Sequence, residues 1–518
     1  MDSESELVQT IKDQVEEWSS NSNECFNIFL NHGDGSEHAS FNPAFTYPIY
    51  GEEEAIFGYQ DLAINLTFAA HDLRPSLKVE YGKKFNAIGD IKPTGVEGAL
   101  KDFLPEEAFN ASVEEDKGAA EWKPPGDKIR EYTREGKKFE IWCASLADEA
   151  AKKLLENMQI LVPLFIEGGT TLQLEQDWTT QRWKLFLVYQ VKEKVSAGSS
   201  PYAFIGFGTS YKVFTFPGRN MSEAGLRPLR SSDATQAAIQ QEASLEKDLE
   251  ETLRDNEVKS PLDLPSRERL SQFVILPTFQ GHGHGQELYN AMYLHLTAPA
   301  SVREFTVEDP NEAFDDMRDL CDMRYLRANN PDFASLKINT DVPAEKLKPT
   351  SHIPIDIIVD GELTTKIRNQ SKIDPRQFGR LVEMQTLSTI PPLNRSRNRI
   401  TKRERSTNEH DKAYFFWRLY AKQRIYIFNR DPLMQIDLQE RPEKVDGALD
   451  SVLEGYTSML EAVEAKEKGG EAVAGASAKR LARKRKVVDD DEDDEWEDEE
   501  DDEGDVAMNG GHKKARFG

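Results

Sequence analysis

Nowhere do the 518 residues hold the roughly 18 consecutive apolar positions that a membrane-spanning helix needs. The N-terminus, MDSESELVQT, lacks the basic and apolar regions of a signal peptide. The expectation is an intracellular protein with no membrane partner. Cysteine is scarce: Cys25, Cys143 and Cys321 stand far apart without CxxC spacing, which excludes a disulfide framework and a cysteine zinc cluster. They read as reduced core thiols. A basic excess is missing as well. The formal net charge is -27, and 15 of the 17 residues from Asp489 to Asp505 are acidic, so the body without that run carries about -12. That speaks against direct nucleic-acid reading, which needs a basic face, and suits a cationic protein partner. Two phosphate-binding signatures are also absent: no G-x-x-x-x-G-K-[ST] run exists, and no G-x-G-x-x-G.

What is present divides the chain into four parts. Residues 1–140 contain one clear strand, in which Leu62, Ile64, Leu66 and Phe68 alternate with Asp61, Ala63, Asn65 and Thr67. An N-terminal α/β domain is expected there. Residues 141–345 carry apolar strands at 184–191, 202–216 and 270–276, expected to be neighbours in one sheet, interrupted by a polar stretch at 218–262 that reads as a flexible insertion with a short helix near 235–253. Residues 346–465 become helical, with Ala448, Leu449, Val452, Leu453, Tyr456, Met459 and Leu460 in a stripe at helical spacing. Residues 466–518 have the composition of a disordered tail. In it, Lys479-Arg480 and Arg483-Lys484-Arg485-Lys486 read as a nuclear import signal ahead of the acidic run.

The chemistry concentrates in one stretch. Strand 270–276 leads through Pro277-Thr278-Phe279 into Gln280-Gly281-His282-Gly283-His284-Gly285, followed by a helix to about Thr297 with Leu288, Met292 and Leu296 on one face. A strand, a glycine loop and a helix N-terminus aim several backbone N–H groups and a positive dipole end at one spot, and small residues let an anion approach the main chain. The loop is expected to hold a phosphate or pyrophosphate. A dinucleotide-dependent dehydrogenase is an alternative, because strand 303–307 ends in Glu308 and Asp309 about 20 residues on, but the glycines fall at i, i+2 and i+4. His282 and His284 lack a third ligand, so no metal is expected. Asp309-Pro310-Asn311-Glu312 reads independently as a helix start.

Gln280-x-x-Gly283-x-Gly285, directly after a strand and opening a helix, resembles the acetyl-coenzyme A loop of the GCN5-related N-acetyltransferase superfamily. Within it, QFVILPTFQGHGHGQELYNAMY followed by FTVEDPNEAFDDMRDL is similar to the catalytic subunits of type B histone acetyltransferases, as are Tyr47 to Phe57 and Phe165-Ile166-Glu167 with Arg182-Trp183. The resemblance spans roughly residues 40–330. It implies an α+β fold with a mixed sheet and flanking helices, and acetyl-coenzyme A as co-substrate.

By this resemblance Phe273, Val274 and Ile275 would pair their backbone with the pantetheine arm. Gln280, Gly281, His282, Gly283, His284, Gly285 and Gln286 would wrap the pyrophosphate, and Asn311 would contact the cofactor. Glu308 takes the position of the general base, with Asp309 and Glu167 as the other candidates. Cys321, the nearest thiol, falls on the apolar side of the helix expected over 312–326, so direct transfer is favoured over an acyl-enzyme. Glu52, Glu53, Glu54, Tyr211, Lys212 and Val213 would line a peptide groove with Trp183 against it. The family further implies the N-terminal tail of newly made histone H-four as substrate, a WD-repeat histone-binding subunit as partner, and residence in nucleus and cytoplasm. A catalytically inert histone-binding scaffold is the alternative from another class.

Overall fold

The computed structural model describes residues 17–89, 91–110, 119–173, 177–193, 196, 198–214, 261–348, 352–400 and 407–467, all within one compact unit. The expected insertion at 218–262, except its last two residues, the helix near 235–253 and the tail beyond 467 lie outside the described residues.

A four-stranded sheet comes first: β1 (Phe26–Asn31), β2 (Glu37–Phe41), β3 (Ala63–Ala69) and β4 (Pro75–Glu80), in the order β2-β1-β3-β4. β1 and β3 run parallel and the other pairs antiparallel. The alternation read in the sequence is the burial pattern found. Leu62, Ile64, Leu66 and Phe68 are inside, next to Phe26, Ile28 and Leu30 of β1. Each such side chain contributes roughly 1.5–3 kcal/mol on burial.

The main sheet has six strands: β5 (Asp127–Arg134), β6 (Lys137–Ser145), β7 (Trp183–Val191), β8 (Tyr202–Phe214), β9 (Ser266–Ile275) and β10 (Val302–Val307), in sequential order. All neighbours are antiparallel except β9 and β10. The sheet begins at Asp127, inside the stretch that the sequence assigns to the N-terminal part. Its first hairpin turns at Glu135 and Gly136, both at positive φ (49° and 74°), the two-residue turn whose twist matches that of paired strands. β7 reads as an unbroken apolar run because both of its faces are covered. Leu185, Leu187 and Tyr189 join the core shared with the N-terminal sheet, and Phe186 and Val188 join the core on the other face.

That second core is roofed by helices α2 (His284–Thr297), α3 (Glu312–Asn329), α4 (Gly361–Ser371), α5 (Pro375–Ser388), α6 (Glu409–Phe428) and α7 (Arg441–Glu467); α1 (Glu149–Met158) packs with the first. Leu449, Tyr456, Met459 and Leu460 of the expected stripe are buried on α7. Polar ties hold the layers: Glu383 of α5 takes both Arg424 (2.7 and 2.8 Å) and the Tyr456 hydroxyl (2.8 Å). Asp322 of α3 accepts from Tyr289 of α2 at 2.8 Å and from Gln377 of α5 at 3.0 Å. The fold is mixed α+β, as expected. Among the described residues no helix is long and apolar enough to cross a membrane.

Candidate active site

β10 pairs along its whole length with only the first half of β9, from Ser266 opposite Val302 to Leu270 opposite Val307. The last link is Glu308 N–H donating to the Leu270 carbonyl at 2.9 Å. There the chains part. Asp309 takes an uncommon positive φ of 36°, and α3 starts at once, capped by the Asn311 side chain, which accepts from Phe314 N–H at 2.9 Å. β9 continues alone, held on its other side by β8, with Gly208, Phe207 and Gly206 opposite Phe273, Val274 and Ile275. The second edge of Ser271–Ile275 pairs with no strand among the described residues. An extended chain bearing amides can add there as a further strand.

The open edge runs straight into the glycine loop. Pro277–Phe279 forms one 3₁₀ turn, and Gln280 Nε2 donates back to the Ile275 carbonyl at 2.8 Å. Gly281 and Gly283 have φ of 78° and 84°, a region that side chains with a Cβ avoid. Gly285 is closely covered: a Cβ there would stand 3.0 Å from Met317 Sδ and 3.7 Å from Phe273. After the loop, the Glu287 amide donates to the Gly283 carbonyl at 3.2 Å. Ahead of it the N–H groups of Gly283, His284 and Gly285 reach no backbone carbonyl among the described residues, as expected of a helix's first turn. These donors, the dipole end and the absent Cβ atoms fit a pyrophosphate.

Side chains under the loop fix its position. The His284 backbone belongs to the loop, but its ring is buried, 2.8 Å from the Tyr132 hydroxyl and 4.5 Å from the Phe139 ring centroid. Burial lowers its pKa to about 4. His282 is exposed. Glu287 receives Arg130 at 2.8 and 2.5 Å and Arg134 at 3.0 Å, which ties the first turn of α2 to β5 at the far edge of the sheet. Nothing in the spacing of residues 130, 134 and 287 foretold this clamp.

Glu308 stands where β9 and β10 part. Its Oε2 accepts from Ser271 at 2.7 Å, its Oε1 from the Tyr211 hydroxyl at 3.2 Å, and Arg269 Nη2 lies 3.4 Å from Oε1. The side chain remains 33% exposed. Trp183, Tyr211, Arg269 and Thr306 form one cross-strand row over β7 to β10, with the Trp183 and Tyr211 rings 4.5 Å apart. Burial, and then the charge of Glu308, push the Tyr211 phenol up, so it stays protonated and donates. Ser271 and Arg269 are absent from the sequence-based site. They occupy the alternate positions of β9 before Phe273, so strand period alone would have placed them on its face.

Asp309 is exposed at the strained turn, and the structure gives it no hydrogen bond to Glu308. Glu167 is also exposed, just after the short helix Leu161–Phe165. Its neighbours bring that segment to the site: Gly168 N–H donates to the Tyr47 hydroxyl at 2.8 Å, and the Thr170 carbonyl accepts from Gln272, beside Ser271, at 2.9 Å. The acidic loop is therefore linked to β9 through Tyr47. Glu52 and Glu53 are exposed. The Glu54 carboxylate points back instead, accepting from Thr46 N–H at 2.7 Å, Tyr47 N–H at 3.1 Å and Asn23 at 2.6 Å. Those donors hold it below the usual carboxylate range, so its part in the loop is to close it.

Lys212 turns its ammonium to the Leu262 carbonyl at 2.8 Å, while its own carbonyl takes the Arg182 fork at 2.9 and 2.7 Å. Val213 is half-buried opposite Arg267. Cys321 is 5% exposed and packs in the helical core, and burial pushes Cys143 up to about 12 and Cys25 to about 11. Among the described residues no group of three or more His, Cys, Asp or Glu side chains could hold a metal ion.

The chain is similar to known proteins over most of its length. Residues 18–167 match the family described as Histone acetyl transferase HAT1 N-terminus. The chain is 36% identical over 471 residues to the histone acetyltransferase type B catalytic subunit of Aspergillus fumigatus, covering 87% of this chain and 78% of that protein. It is 37% identical over 449 residues to that of Gibberella zeae, covering 84% and 88%. With that of Cryptococcus neoformans it shares 30% identity over 485 residues, covering 86% and 98%.

Proposed function

Since the chain belongs to the family of histone acetyltransferase type B catalytic subunits, we propose that it moves the acetyl group of acetyl-coenzyme A to lysine side chains in the N-terminal tail of newly made histone H-four. Transfer is direct, within a ternary complex, with Glu308 as general base. The observation that carries this reading is the unpaired edge of β9, which ends in the glycine loop at one end and begins beside Glu308 at the other.

The site residues divide the work. A lysine ammonium has a pKa near 10.4, so at neutral pH only on the order of one molecule in a thousand is a nucleophile, a handicap of roughly 4 kcal/mol. Glu308 Oε2, oriented by Ser271, takes that proton directly or through water as the amine attacks; such a base contributes roughly 10²- to 10⁴-fold. Phe273, Val274 and Ile275 hold the pantetheine arm by their backbone, and Gln280 to Gln286 hold the pyrophosphate. Acetyl-coenzyme A supplies the activated thioester. Trp183 and Tyr211 give the acceptor's aliphatic stem an aromatic wall, and Glu52 and Glu53 supply charge for a lysine-rich peptide. Assembly with a WD-repeat histone-binding subunit and work in both cytoplasm and nucleus, before chromatin assembly, complete the proposal.

The test is acetyl transfer to a histone H-four tail peptide by the parent and by Glu308→Gln. Loss of roughly 10²-fold or more in kcat with acetyl-coenzyme A binding kept is the expected result. A parent that binds acetyl-coenzyme A yet transfers nothing, even with its partner subunit present, favours the scaffold reading. A variant with full activity removes Glu308 from the role.

A further inference from the structure

Next to Glu308, between β9, β10, α3 and α5, lies a cavity of about 240 Å³. Five arginines line it, Arg267, Arg269, Arg318, Arg376 and Arg380, against two acids, Asp315 and Asp374. Part of this is an ion-pair network that fastens α5 to α3 and the sheet. Arg318 pairs with Asp374 and Arg380 with Asp319, and Arg267 Nε lies 2.8 Å from Glu304 Oε1, though off the direction a hydrogen bond needs. One carboxylate occupies at most two of a guanidinium's five donors.

Three features exceed what fastening requires. Arg376 pairs with no carboxylate side chain among the described residues and lies over the Phe428 ring, 4.3 Å from its centroid. Arg269 reaches Glu308 only at 3.4 Å. On the same wall, the buried Thr306 hydroxyl has no hydrogen-bond partner, and Arg318 Nε makes no hydrogen bond, with Asp322 Oδ2 3.8 Å away. Buried polar groups nearly always have a partner, so each such case calls for one. Guanidinium forks converging with a hydroxyl match the oxygens of a phosphate group.

We propose that this cavity is a binding site for a phosphate-type dianion, carried either as free phosphate or on a phosphoserine side chain. Its size agrees: 240 Å³ is room for roughly eight waters at about 30 Å³ each and below the roughly 300–1,000 Å³ of sites for larger ligands. The anion recruits Arg376 and Arg269, the two least committed arginines. Because Arg269 is also the cation beside Glu308, occupancy changes the charge next to the carboxylate. That coupling rests on the base assignment, whereas binding does not.

The experiment titrates the full chain with inorganic phosphate at fixed ionic strength and without acetyl donor, so that its outcome is independent of catalysis. Calorimetry reads the binding. One saturable site is expected, weakened about tenfold or more by Arg376→Gln and by Thr306→Val, the loss of one charge-assisted hydrogen bond, and unchanged by Arg324→Gln on the exposed side of α3. Unfolding midpoints in chloride verify that each variant folds; Arg376 is exposed, so that variant serves even if Thr306→Val does not. No saturable binding overturns the proposal, and equal binding by parent and both variants means an adventitious ion only. A phosphoserine peptide that displaces phosphate, where its unphosphorylated form does not, assigns the anion to a peptide; failure to displace it assigns a free anion.

Discussion

Ser271 donates its hydroxyl to Glu308 at 2.7 Å across the point where β9 leaves β10. One residue earlier, Leu270 still accepts from the Glu308 amide. The carboxylate is thus fixed at both ends, its backbone by the last rung of the parallel ladder and its side chain by the first residue beyond it. The geometry that opens the edge of β9 also aims Glu308 along it.

Removing the hydroxyl separates aiming from basicity. Ser271→Ala keeps the carboxylate and the Tyr211 contact, so about a tenfold fall in kcat is expected, corresponding to one hydrogen bond to a charged group. KM for acetyl-coenzyme A should stay within about twofold. Steady-state kinetics on a tail peptide measure both. An unchanged kcat would show that Glu308 does not need Ser271, and a fall confined to KM would move Ser271 to the cofactor.

The glycine loop was legible because its signal is local. Glycines at i, i+2 and i+4 between a strand and an amphipathic helix occupy six consecutive residues, Gln280 to Gly285. The strand Ala63–Ala69 was legible for the same reason, alternation within one element. The rest depends on distant partners. β5 alternates weakly, with its side chains exposed or half-buried at the sheet edge, so nothing marked Asp127 as the start of the main sheet. Glu54 looks in sequence like its two acidic neighbours, yet a positive φ of 46° turns its carboxylate onto Thr46 and Tyr47. The arginine-walled cavity draws on residues from 267 to 380, and no window of sequence contains it.

Gly283 carries both constraints of the loop at once. Its φ is 84°, and an added Cβ would meet Arg134 Nη2 at 3.3 Å, on the guanidinium that also holds Glu287. Gly283→Ala should therefore cost roughly 1–2 kcal/mol of backbone strain, visible as a lower unfolding midpoint. It should also raise KM for acetyl-coenzyme A several-fold, with KM for peptide unchanged. Gly281→Ala at φ 78° meets no atom within 4 Å, so it isolates the strain from the crowding.

The acidic loop separates into two kinds of glutamate. Glu54→Gln keeps the side chain's size but weakens acceptance from two backbone amides and Asn23. Its main effect is expected on the unfolding midpoint. The Glu52→Gln, Glu53→Gln double variant should leave that midpoint alone and raise KM for a lysine-rich peptide, by an amount that shrinks at high salt because exposed charges are screened. Peptide KM at two ionic strengths decides it. If Glu54→Gln alone raises peptide KM, the closed loop is itself the contact.

Acid stability carries the signature of the buried imidazoles. Burial, followed by His282 and Arg134, holds His284 at about 4, against a usual value of 6.5. Tyr132, Phe139, Glu287 and Lys137 are its other neighbours. Burial, followed by His32, Lys192 and Lys137, holds His38 at about 3 beneath the Phe279 ring. Both folded values lie below the unfolded one, so as the pH falls below 6.5 the unfolded chain gains a proton at each ring that the folded chain does not. The fully neutral rings impose no penalty above about 6.5; below it, stability declines until the pH passes through about 4 for His284 and about 3 for His38. His284→Gln cannot take up that proton in either state. From pH 6.5 down to 5, its unfolding free energy should therefore depend on pH less steeply than the parent's, by about half a proton at the upper end and close to one proton at the lower. Chemical denaturation at several pH values measures the difference, and equal slopes would mean that His284 takes up its proton in the folded protein over the same pH range as in the unfolded chain.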